Sequence, residues 1–251
     1  MTRTSGTRII MAPCCGKLFS TPAYSSINFT ADEHWTDGKV VGGLFNNGDG
    51  LRRCLCGEVF LLSNAQQVGS LPKDKPQAPA NWQRKSSSWW HRLWGFPTTE
   101  QIIKNNDIRT TEEIEASRAS LPPFPKFIGN AELQPLLEKE YRPEIELRLR
   151  RLYWRYLNDN YRTALSASPE IKRSVFTPSP AQTENMRTLV TLIESCDEKN
   201  VVELLELYRE LGDFAKAERL LLLIPEGYEI EAALQKNLLV ERSQAPALIK
   251  W

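Results

Sequence analysis

Four of the five cysteines form two tight pairs, Cys14/Cys15 and Cys54/Cys56, while Cys196 stands alone. A thiolate is a soft metal ligand and also the attacking species in disulfide exchange, so paired cysteines point to one of these two chemistries. Both pairs sit in similar surroundings: Ala12-Pro13-Cys14-Cys15-Gly16-Lys17-Leu18-Phe19 and Arg53-Cys54-Leu55-Cys56-Gly57-Glu58-Val59-Phe60. Each contains Cys-Gly, one variable residue, then two apolar residues. Glycine after a cysteine permits the positive φ that turns backbone N–H groups toward sulfur. In a reducing compartment such pairs favour a metal over a disulfide. The pattern predicts a structural zinc site closed by four protein ligands: Cys15, Cys54 and Cys56, with either Cys14 or His34 as the fourth. Two other readings stand beside it. The β segment folds on packing alone, without metal, or Cys14 and Cys15 carry a reversible disulfide.

Other chemistry-bearing motifs are few. The two histidines, His34 and His91, lie in no nucleophile or metalloprotease motif, and no Gly-rich loop leads into Lys-Ser or Lys-Thr. The glutamates of 138–146 and 203–210 fall at helix-surface spacing. The expectation is a protein that is not an enzyme, with no small-molecule substrate evident. The stretch Trp82 to Trp94 interleaves tryptophan with Arg and Lys, and its Trp89, Trp90 and Arg92 are of the types that stack bases and meet phosphates. Arg148, Arg151 and Arg155 form a second basic cluster in a helical pattern. The plainer reading makes the tryptophans a packing anchor and the arginines a solvated face laced with Glu-Arg pairs at i,i+4 spacing.

Lys plus Arg total 32 and Asp plus Glu total 31, so overall charge does not single out nucleic acid or an anionic membrane. No apolar run approaches the ~20 residues of a membrane span. Neither that nor a secretory signal is visible, and the expected location is the cytoplasm.

The elements that must position these residues change character along the chain. Residues 1–70 read as β-rich, with runs such as Val40-Val41 and Val59-Phe60-Leu61 cut by glycines. Residues 71–97 read as a linker rich in proline and tryptophan. Residues 98–251 read as helical, with short helices starting near Thr98 and Thr110 and a long helix from Pro143 to about Tyr161. Further helices are expected over 181–196, 199–211, 214–224 and 227–242. The fold class is α+β.

Two resemblances rest on these residues. The two Cys-Gly turns, with Ala31-Asp32-Glu33-His34-Trp35-Thr36-Asp37-Gly38-Lys39 between them, resemble the zinc-ribbon start of a group of uncharacterised bacterial proteins with a helical remainder. The chain departs from that pattern at Ala12 and Arg53, where the group has the first cysteine of each turn. Residues 200–221 resemble one tetratricopeptide-type hairpin through Leu204, Leu207, Tyr208, Leu211-Gly212-Asp213-Phe214, Ala217 and Leu221. Together these imply a protein-interaction or adaptor role whose partner is another protein. Nucleic-acid binding through the tryptophan stretch and the arginine helix is the alternative.

Overall fold

A computed structural model describes residues 3–26, 31–42, 50–72, 121–167, 176–196 and 200–250. Trp89, Trp90, Arg92, the linker core and the helices expected near Thr98 and Thr110 lie outside these residues. Among the described residues the architecture is α+β, with small antiparallel sheets in the N-terminal part and six helices in the C-terminal part. The described residues fall into two compact units. One comprises 3–26, 65–72 and 121–125; the other comprises 31–42, 50–64 and everything from 126 onward.

In the first unit, β1 (Arg3–Met11) lies between β2 (Leu18–Ser26) and β7 (Gln66–Pro72) in an antiparallel sheet. Ile10 pairs with Phe19, and both are buried, which fixes the register. Pro22 interrupts no central ladder because β2 is an edge strand. The β1–β2 hairpin turns over Pro13-Cys14-Cys15-Gly16. Ala12 N–H donates to the Lys17 carbonyl at 2.9 Å, and Gly16 N–H to the Ala12 carbonyl at 2.9 Å.

The second unit holds a small sheet in which β3 (Glu33–Trp35) lies between β4 (Val40–Val41) and β8 (Leu248–Ile249). It also holds a hairpin of β5 (Leu51–Arg53) and β6 (Val59–Leu61). Its helices are α1 (Asn130–Leu137), α2 (Pro143–Ala167), α3 (Pro180–Glu194), α4 (Val201–Glu210), α5 (Phe214–Leu221) and α6 (Glu229–Val240).

Local chemistry accounts for the helix boundaries. Pro143 opens α2, where a missing N–H costs nothing, and Glu144 and Glu146 face the positive end of the helix dipole. Ser179 and Gln182 form a reciprocal capping box at α3. Asn200 and Asp213 accept from the backbone N–H three residues on, at 3.1 and 3.3 Å. At the end of α4, Asp213 N–H reaches the Tyr208 carbonyl and Gly212 N–H reaches the Arg209 carbonyl, with Gly212 at φ +79°. This is a Schellman turn, and it reverses the chain into α5.

The helix α2 serves two cores. Leu149 and Tyr153 pack with Leu133 and Leu136 of α1 and with Leu51, Val59 and Leu61 of the β5–β6 hairpin. Trp154 joins Met186, Leu189 and Ile193 of α3, Leu204, Leu205 and Leu207 of α4, Ala217 of α5 and Leu239 of α6. Beside this second core runs a buried polar network. Thr36 Oγ1 donates to Glu206 Oε1 at 2.5 Å and accepts from Ala247 N–H at 2.9 Å. Glu206 is paired with Arg209 at 2.6 Å and accepts from Gln235 Nε2 at 2.7 Å. Asp37 pairs with Arg162 and accepts from Asn158 Nδ2 at 3.0 Å. Asn158 and the Trp154 indole donate to Glu210, at 3.2 and 2.8 Å. The turn after β3 is thereby tied to α2, α4 and the segment leading into β8.

Candidate metal centre

Both cysteine pairs stand on hairpin turns closed by a glycine of positive φ. Gly16 has φ +70° and Gly57 has φ +93°. In the second turn Cys54 N–H donates to the Glu58 carbonyl at 2.8 Å and Gly57 N–H to the Cys54 carbonyl at 3.0 Å. Nothing lies within 4 Å of a Cβ built at either glycine, so backbone conformation rather than space selects glycine there.

The sulfurs of Cys14, Cys15, Cys54 and Cys56 all lie within 4.8 Å of one another. Cys14 and Cys15 Sγ are 4.0 Å apart. The four cysteines lie close together and can hold a metal ion. Cys54 is buried and the other three are exposed.

Of the five ligand candidates, then, four come together. His34 stands on β3, paired with Val40 and Ile249, and is no member of this group. The fourth donor in the cluster is Cys14, although adjacent cysteines rarely share an ion in a knuckle. The closing bond of the first turn spans Ala12 to Lys17, one residue more than the Cys54-to-Glu58 bond of the second.

The basic candidates separate differently. Arg148, Arg151 and Arg155 of α2 share one cavity with the loop at Asp37-Gly38 and the first turn of α4. Arg151 makes a two-pronged pair with Glu203, 2.6 Å on each side. Nothing in the residue pattern singles out Asp37, Gly38 or Glu203 at this place. Thr36-Asp37-Gly38-Lys39 reads as an ordinary turn, and the burial of Thr36 and Asp37 distinguishes it.

No family model matches the chain, and neither a curated protein nor a solved structure matches it. Among the described residues no helix is long and apolar enough to cross a membrane.

Proposed function

We propose that the chain is a non-enzymatic adaptor whose Cys14, Cys15, Cys54 and Cys56 hold one structural zinc ion in a zinc-ribbon-like arrangement. The observation that carries the metal is the convergence of four thiols within 4.8 Å. An all-sulfur set favours zinc over hard cations such as magnesium or calcium. Four protein donors leave no open position for a reacting water, so the ion's role is structural.

Two features of the second unit support protein interaction. The α4–α5 hairpin is tetratricopeptide-like, with Gly212 in the turn and fully buried Ala217 allowing close helix approach. Beyond it, large apolar side chains are left in water: Leu222 is 84% exposed, Leu223 63% and Val240 80%. Exposed apolar side chains beside such a hairpin offer surface on which a protein partner can pack.

Purification of the tagged full chain from its native host, with and without nuclease, tests the reading together with metal analysis. One zinc per chain is expected, along with a protein partner that survives nuclease. Chelator is expected to lower the melting temperature, and Cys56→Ser to lower both zinc content and melting temperature. A chain with no stoichiometric metal and an unchanged melting temperature in chelator rules out the zinc site. Partners that vanish with nuclease would move the chain into the nucleic-acid class.

A further inference from the structure

The connection from α5 to α6 turns apolar side chains both inward and outward. Leu220, Leu221 and Ile224 pack against the core that holds Leu204, Leu205 and Leu207. Leu222 and Leu223 stand between them in the chain and face water. Tyr228 and Ile230, at the start of α6, are also exposed. Backbone bonds set this segment in place. Leu223 N–H donates to the Leu220 carbonyl at 2.9 Å, and Ala232 N–H to the Tyr228 carbonyl at 2.9 Å. Gly227 N–H donates to Glu229 Oε1 at 2.9 Å. A surface already held by its inward leucines has little freedom left to lose on association.

The charges beside these apolar groups are mostly acidic. From residue 218 to residue 235 the chain carries Glu218, Glu226, Glu229 and Glu231 against the single base Arg219. Glu218, Glu226 and Glu229 are exposed and Glu231 is half-buried. Lys216, nearer the start of α5, is paired with Asp213. Tyr228 marks the limit of this acidic surface, since it also borders the arginine-lined cavity.

We propose that residues 222–231 dock a basic amphipathic helix of a partner protein. Its apolar face lies on Leu222, Leu223 and Ile230, and its lysines or arginines meet Glu226, Glu229 and Glu231. A helix of that kind presents apolar groups on one face and charges along the flanks, so it matches both features at once. Opposite charges across the contact steer and orient it. The same acids repel the phosphates of nucleic acid and of anionic membranes, so a protein is the class of partner that fits. This docking rests on the adaptor reading and names the chemistry of its partner. It uses none of the four cysteines.

Fluorescence anisotropy of the full, metal-replete chain tests it with two labelled amphipathic peptides of about 15 residues. Both carry the same leucine face; one has lysines on its polar face and the other glutamates. The lysine peptide is expected to bind with a dissociation constant below about 100 μM, at least about tenfold tighter than the glutamate peptide. Leu222→Ser combined with Leu223→Ser is expected to weaken it about tenfold or more. Glu226→Gln combined with Glu231→Gln is expected to weaken it and to flatten its salt dependence. Val68→Ser, at an exposed apolar residue of β7, is expected to leave it unchanged. Equal binding of the two peptides, or unchanged binding by the leucine variant, overturns the proposal. So does a lysine peptide that fails to bind at about 1 mM. Sedimentation in which the parent dimerises and the leucine variant does not also overturns it, because a second copy then occupies the surface. A co-purified protein partner that the leucine variant still retains overturns this docking and leaves the adaptor reading in place.

Discussion

Among the described residues, Glu210 is one whose ionisation the fold controls strongly. Its side chain is fully buried, and burial is the first cause that holds its acid well above the usual carboxylate range. Neighbouring Glu206 and Asp37 push the same way, while Arg209 and the Trp154 indole pull back. The sign of the pH effect follows from where the proton sits. With the folded value raised above the unfolded one, the native chain holds this proton more tightly than the unfolded chain does. Glu210 therefore contributes a stability that is complete below the ordinary carboxylate value and declines as pH rises toward the folded value. Glu210→Gln supplies a permanently neutral group of the same shape. The variant is expected to gain stability relative to the parent as pH rises, seen as a smaller difference between urea midpoints at pH 5 and pH 8. A difference as steep as the parent's would show that Glu210 is not the group responsible.

At the scale of elements, the α4–α5 turn has the most sharply defined requirement. Gly212 needs a left-handed backbone, and a Cβ there would come within 2.9 Å of Gln244 Nε2, which donates to the Glu210 carbonyl at 2.9 Å. Gly212→Ala is expected to cost about 1–2 kcal/mol by denaturant titration, through backbone strain and displacement of that amide. The requirement was readable in advance. Gly212 in the interhelical turn and Pro143 at a helix start are local signals, and helices α2 to α6 lie where the helical pattern expects them. So were the two cysteine turns, because Cys-Gly sets its conformation within a few residues. Helix α1 was not readable: Pro135 lies inside it, a residue that normally argues against a helix. Its place comes from Leu133 and Leu136 packing on Leu149, a contact between distant parts of the chain.

Distance along the chain also explains what the reading missed at the scale of the molecule. Residues 1–70 look like one β module because their local pattern is uniform, yet residues 31–42 and 50–64 belong to the same compact unit as the helices. The apolar faces of β5 and β6 say that they are buried and do not name their partner. Arg148, Arg151 and Arg155 have the spacing of a solvated helix face, and only the loop at Asp37-Gly38 turns that face into the wall of a cavity. Strand β8 is two residues long, too short for any periodicity, and is defined by its pairing with His34 and Trp35. Its importance is testable at Ala247, which is 1% exposed and donates its N–H to Thr36 Oγ1 at 2.9 Å. Ala247→Pro removes that donor and is expected to destabilise the second unit by about 2 kcal/mol or more in chemical denaturation. A variant as stable as the parent would show that the β3–β8 closure contributes little.

That closure also orders events on the ribosome. Thr36 and Ala247 are 211 residues apart, and translation at about 5–20 residues per second separates their synthesis by roughly 10–40 s. Helices form far faster than this, so α2 and α4 are made and waiting while one side of β3 still has no strand to pair with. Throughout that interval the nascent chain presents an open strand edge, the kind of surface on which chaperones act and from which aggregation starts.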